Sequence, residues 1–122
     1  MASLELSSAL TNENYVKIFK TINLIPSGKV ASYGQIADLA GLPGRARLVG
    51  KSLAYVPSEM TVNWHRVLRS NGKLAFAPGS SQAVKQMGLL QSENVAVFNN
   101  GVKMKEYKWQ PDLFSILQEL EF

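Results

Sequence analysis

Apolar positions along the chain fall into short segments of helical period separated by turn residues. Tyr15, Ile18, Phe19 and Ile22 recur at the i, i+3, i+4, i+7 spacing of one helix face, and Thr11 is placed to cap that helix. Pro26-Ser27-Gly28 ends it in a turn. Ser32-Tyr33-Gly34-Gln35 offers a capping box, in which the Ser32 hydroxyl accepts from the N–H three residues on and Gln35 reaches back. A short helix follows through Ile36, Ala37, Leu39 and Ala40. Gly41 stops it, because glycine tolerates the left-handed backbone found past a helix C-terminus. Pro43 suits the first turn of the next helix, where its missing N–H is no loss. That helix is expected from about Gly44 to Tyr55, ending ahead of Pro57. Two short helices joined by a tight glycine turn predict a helix-turn-helix.

Arg66-Val67-Leu68-Arg69 and Leu74-Ala75-Phe76 flank Ser70-Asn71-Gly72-Lys73. Asn-Gly between two such runs signals a hairpin, because both positions tolerate positive φ, and it predicts a two-stranded wing over about 66–76. Ser80 or Ser81 caps a helix carrying Ala83, Val84, Met87 and Leu90. Val95 to Phe98 and Val102 to Met104, joined by Asn99-Asn100-Gly101, predict a second small hairpin. Leu113, Ile116, Leu117 and Leu120 mark a C-terminal amphipathic helix whose stripe is expected in the core. Met1 to Leu10 shows no clear period and reads as a loose terminal arm. The expected fold is mainly α with small β hairpins, a single winged helix-turn-helix domain over residues 1–122, with the helix-turn-helix at about 33–55.

Composition narrows the chemistry. A chain of 122 residues, 46% apolar and 18% charged, is large enough for one core of its own. No apolar run approaches the ~20 residues of a membrane span, and the first residues lack the basic-then-apolar pattern of a secretory signal. An intracellular, cytoplasmic address without a membrane partner is expected. There is no cysteine, which excludes disulfides, thiolate metal sites and a thiol nucleophile. His65 is the only histidine, which argues against a structural zinc site. No metal and no cofactor are expected, and a monomer is. Thirteen Lys and Arg against nine Asp and Glu give +4, a balance that suits nucleic acid and equally suits a plain solvated basic face.

The outer face of the second helix of the pair is unusual. Arg47, Gly50, Lys51 and Ala54 share it, while Val49 and Leu53 lie opposite and can enter the core. Gly50 costs roughly 1 kcal/mol in a helix interior. Close approach of another surface would offset that, whether a neighbouring element of the same protein or a ligand. A helix that reads the major groove usually presents several long polar side chains to base edges. Small residues argue instead for contact that hugs the backbone.

Asn63-Trp64-His65-Arg66-Val67 resembles the Pro-Cys-His-Arg-Val active-site motif of the O6-alkylguanine-DNA alkyltransferase family, with Trp64 in the slot of the nucleophilic cysteine. The cysteine-free, alkyltransferase-like members of that family carry Trp there. Asn63 in place of Pro departs from both. Pro26 to Ala37 resembles the stretch leading into the first helix of the family's helix-turn-helix, and Gly41 to Gly50 its recognition helix. Ser70-Asn71-Gly72, Ala83-Val84-Lys85 and Leu89 to Glu93 follow in the family's order. The likeness runs from about Pro26 to Glu93.

The resemblance implies a non-enzymatic sensor of DNA damage. Its partners would be double-stranded DNA containing O6-alkylguanine and, further on, nucleotide-excision repair proteins. Arg47 would enter the duplex and fill the gap left by an extruded nucleotide, and Tyr33 would press on the 3′ phosphate. Gly50 and Ala54 would let the helix enter the minor groove, with Arg45 and Lys51 beside them on the DNA. Trp64 would lie in the pocket that receives the guanine. His65 and Glu93 would be remnants of the relay that activates the absent thiol. Val56 stands where the family has a hinge Asn, and Pro78 and Gly79 stand where active enzymes have a Tyr-Ser pair, so the pocket would be roomier. Tyr33 and Trp64 could equally be core aromatics, Arg47 a solvated side chain and His65 a structural residue. Two rival functions remain on the sequence alone. An alkyltransferase with another nucleophile lacks a Ser or Lys beside His65 in sequence. A winged-helix transcription regulator is disfavoured by the sparse outer face of the second helix.

Overall fold

The computed structural model describes residues 12–120. Six α-helices and two short strands are present among them: α1 (Glu13–Ile22), β1 (Ala31–Ser32), α2 (Tyr33–Leu39), α3 (Ala46–Ser52), β2 (Val67–Leu68), α4 (Ser81–Ser92), α5 (Met104–Tyr107) and α6 (Leu113–Leu120). Single 3-10 turns occur at Leu53–Tyr55 and Trp64–Arg66. No helix among the described residues is long and apolar enough to cross a membrane.

The α1 stripe is buried at all four positions, Tyr15, Ile18, Phe19 and Ile22. Its described cap is Asn12, whose side chain accepts from the Tyr15 N–H at 3.1 Å. The expected cap, Thr11, lies outside the described residues, as does the N-terminal arm. Ser32 caps α2 by accepting from the Gln35 N–H at 3.0 Å. The capping box does not close, because the Gln35 amide instead donates to the Trp109 carbonyl at 2.9 Å. Gly41 ends α2 at φ +78°. There the Leu42 N–H reaches the Ala37 carbonyl and the Gly41 N–H reaches that of Asp38, the paired bonds that glycine at this position allows.

α3 is shorter than its sequence suggests. Pro43 sits in a turn closed by the Arg45 N–H on the Leu42 carbonyl, ahead of the helix rather than in its first turn. The last residues, Leu53 to Tyr55, tighten into a 3-10 turn. Tightening of this kind is common at helix ends.

The wing differs more. The chain does reverse at Asn71-Gly72, with Gly72 at φ +85° and the Arg69 N–H on the Lys73 carbonyl at 2.9 Å. No ladder continues from it. Val67–Leu68 pairs in parallel with Ala31–Ser32, not with Leu74–Phe76. Leu74 donates to the Asn100 carbonyl and Val102 to that of Gly72. The wing is therefore a tight reversal braced by the second turn, in which Phe98 and Gly101 exchange both backbone bonds across Asn99 and Asn100 at φ 51° and 56°. Only the tip of that second hairpin forms, since Met104 opens α5.

Strand alternation divides the interior. Ala31 and Val67 enter one cluster with α1, α2, Val49, Trp109, Ile116 and Leu120. Val30 and Leu68 enter the other with Leu74, Ala83, Leu90, Val95 and Val102. In α4 the buried face is Ala83, Gln86 and Leu90, and Val84 is exposed, so the expected Val84–Met87 share of the stripe is shifted by a residue. In α6 only Ile116 and Leu120 are buried, and Leu113 and Leu117 face outward. The C-terminal stretch joins the fold at Val30, which bonds Tyr107 and Trp109 on either side.

Candidate nucleic-acid interface

Trp64 is set by its flanks. Asn23, just past α1, donates to the Thr61 carbonyl and accepts from the Asn63 N–H, both at 2.9 Å. The family's proline has no N–H to offer, so Asn63 makes a tie in this chain that proline could not. The Trp64 N–H closes on the Val62 carbonyl at 2.8 Å and starts the 3-10 turn. The half-buried indole meets the Phe76 ring edge-on, with centroids 6.1 Å apart. The Phe76 carbonyl in turn accepts from the Asn100 side chain at 2.9 Å.

Behind Trp64 lies a polar hub centred on Glu93. Asn94 takes a left-handed conformation at φ 65° and ends α4, leaving Glu93 at its last turn. The Glu93 carboxylate accepts from Arg66 Nε at 3.0 Å and Nη2 at 2.7 Å, meets His65 Nε2 at 2.8 Å and accepts from the Gly28 N–H at 3.3 Å. Arg66 Nη1 also donates to the Ile25 carbonyl at 2.7 Å. Burial pushes the Glu93 carboxyl upward. The hydrogen bonds from Arg66 and His65 outweigh it and hold the group at about 2. Gln86, fully buried, donates to the carbonyls of His65 and Val67 and so fixes the backbone on either side of Arg66.

In front of Trp64 opens a cleft of about 750 Å³. Tyr33, Gly50, Ala54 and Val56 line it beside Trp64, as do Leu53, Met60, Thr61, Val62, Phe76, Gln82 and Lys85. Gly50 and Ala54 thus form part of its wall. Among the described residues, an added Cβ on Gly50 would meet only Tyr33 Cε1, at 4.0 Å, so no described element crowds that glycine. Burial raises the Tyr33 phenol, against a smaller opposing effect of Arg69. A second, shallower depression of about 640 Å³ holds Arg45, Arg47 and Lys51, with Gly44, Ala46 and Leu48. α3 contributes to both depressions, and its cations all line the second.

The structure therefore separates the candidate residues into four groups. Tyr33, Gly50, Ala54, Val56 and Trp64 meet at the cleft, and Arg45, Arg47 and Lys51 lie beside it. His65 and Glu93 meet in the hub and line neither depression. Pro78 and Gly79 are exposed in the loop before α4 and do not line the cleft. Phe76, Met60 and Lys85 were missed as liners, because loop residues and the early turns of a helix carry no spacing that announces a shared wall.

The family model for the DNA-binding domain of 6-O-methylguanine DNA methyltransferase matches residues 13–95. The sequence is 42% identical over 97 residues to a DNA base-flipping protein of Vibrio parahaemolyticus, covering 79% of this chain and 95% of that protein. This chain belongs to the O6-alkylguanine-DNA alkyltransferase family, in its cysteine-free, alkyltransferase-like branch. Alkyltransferase-like protein 1 of Schizosaccharomyces pombe is 33% identical over 105 residues, covering 82% of this chain and 97% of that protein. The structure of that yeast protein with damaged DNA containing O6-carboxymethylguanine superposes with a TM-score of 0.74 at 33% identity, covering 83% of this chain and 98% of that one. The Mycobacterium tuberculosis OGT bound to DNA superposes at 0.56 with 37% identity, covering 65% of this chain and 48% of that one. The winged helix-turn-helix class is the one these structures share, with the wing reduced in this chain to a braced turn.

Proposed function

We propose that this alkyltransferase-like protein binds duplex DNA through its minor groove, extrudes O6-alkylguanine into the cleft beside Trp64 and holds it there without chemistry. The observation that carries the reading is the open cleft with Trp64 and Phe76 on its wall, flanked across α3 by Arg45, Arg47 and Lys51. Arg47 is exposed and without a partner among the described residues, free to enter the stack where the base has left. Gly50 and Ala54 let the backbone of α3 approach the groove. Flipping a base costs a few kcal/mol, and least where pairing is already weakened, which favours an O6-alkylated guanine. Aromatic contact with the captured base supplies the rest. No thiol exists to take the alkyl group, so the lesion outlasts the encounter and is flagged for nucleotide-excision repair, a step that rests on the family alone.

A binding titration of one duplex sequence with and without a single O6-methylguanine tests this. Tighter binding of the lesion duplex, with protein mass and lesion unchanged, is the expected result. Equal affinity for the two duplexes refutes the reading.

A further inference from the structure

The cleft beside Trp64 carries one formal charge on its wall, that of Lys85, and no Asp or Glu. Lys85 is exposed and has no ion-pair or hydrogen-bond partner among the described residues. It lies one helical turn after Gln82 on the same face of α4, and both reach the cleft. The helix is capped by Ser80 and has no acidic residue in its first turn, so its positive end is not neutralised locally. Most of the remaining wall is apolar, formed by Leu53, Val56, Met60, Val62, Trp64 and Phe76. A charge held against such a wall is screened less than one in open water.

We propose that Lys85 makes the cleft selective among O6 adducts, favouring substituents that carry a negative charge, such as a carboxymethyl group, over neutral ones of equal size. This rests on the cleft being the lesion pocket. A neutral alkyl group gains contact with the aromatic wall alone. A carboxylate at the end of the same substituent gains the Lys85 ammonium and the Gln82 amide as well. Because Lys85 is exposed on its outer side, the preference should be modest, about fivefold, at the upper end of what a solvated ion pair provides.

The test uses the whole protein and four duplexes of one sequence, carrying guanine, O6-methylguanine, O6-carboxymethylguanine or O6-carbamoylmethylguanine. The last replaces the carboxylate by a neutral amide of the same shape. The expected result is about fivefold tighter binding of the acid than of the amide. Lys85→Gln should remove that difference by weakening the acid far more than the amide or O6-methylguanine, and Lys85→Arg should keep it. Equal binding of acid and amide by the wild type overturns the proposal. So does a Lys85→Gln variant weakened equally on all four duplexes, which would make Lys85 a phosphate contact. A wild type that does not distinguish O6-methylguanine from guanine overturns the pocket itself, and this proposal with it.

Discussion

Replacing Glu93 by Gln probes the hub behind Trp64. The carboxylate is the common acceptor for Arg66, His65 and the Gly28 N–H, and its side chain is 13% exposed. Its partners hold it at about 2 against an ordinary 4.5. At about 1.4 kcal/mol per unit, that depression contributes roughly 3 kcal/mol to folding. As the pH falls, the unfolded chain takes up the proton first. The contribution is therefore complete above about pH 4.5 and is lost as the pH falls toward 2. Glu93→Gln removes the titrating charge and leaves Arg66 part-buried without its carboxylate. Urea denaturation followed by circular dichroism, on both proteins from pH 7 down to pH 2, reads the effect. The variant should be less stable by roughly 3 kcal/mol at pH 7, and the gap should narrow steadily below pH 4.5. Two stability curves that run parallel across that range would refute the linkage. The hub has no thiol to activate, so the loss should appear in stability, with lesion preference retained by the folded variant.

Three further outcomes follow from the geometry. Arg47→Ala should weaken lesion DNA by about 2–3 kcal/mol in a fluorescence titration, because the unstacking cost is then no longer offset; unchanged affinity would make Arg47 a solvated side chain. With Arg45, Arg47 and Lys51 beside the cleft and Arg69 exposed nearby, log affinity should fall against log salt with a slope of about −3 to −5; a flat response would contradict phosphate contact. Gly72→Ala should destabilise by about 1–3 kcal/mol in thermal or urea unfolding, since a Cβ there collides with the Val102 carbonyl at φ +85°; a neutral result would show that the wing turn relaxes freely.

How far the sequence was legible depended on whether a segment's partner lies nearby in the chain. The α1 stripe and the Gly41 stop follow local rules, and both occur as the spacing predicts. The wing did not, because Val67–Leu68 finds Ala31–Ser32 far upstream, and Asn-Gly specifies the reversal without specifying what pairs beyond it. Gln35 left its capping box for a carbonyl in the C-terminal stretch, a partner no local pattern announces. Gln86 interrupts the apolar stripe of α4, and nothing local marks it as buried, yet it bonds two carbonyls inside the fold. In α6 the period is right, but the core ends at Ile116 and Leu120. At the cleft, Trp64 and Val56 are residues the resemblance assigns to a pocket, whereas Tyr33, Gly50 and Ala54, which it assigns to DNA contact, line the same cleft. Met60, Phe76, Gln82 and Lys85 reach it from loops and the start of α4, where nothing in the sequence marks a common wall.

The most direct test of the lesion pocket is the ratio of affinities for O6-methylguanine and guanine duplexes, measured for the wild type and for Trp64→Ala after circular dichroism has shown the variant folded. Of the DNA, Trp64 would touch only the captured base, and an aromatic contact with a base is worth about 1–3 kcal/mol on truncation. The ratio should therefore fall by about five- to hundredfold while weak binding to plain duplex survives through Arg45, Arg47 and Lys51. A folded Trp64→Ala variant with its lesion preference intact would show that the base is held somewhere other than beside Trp64.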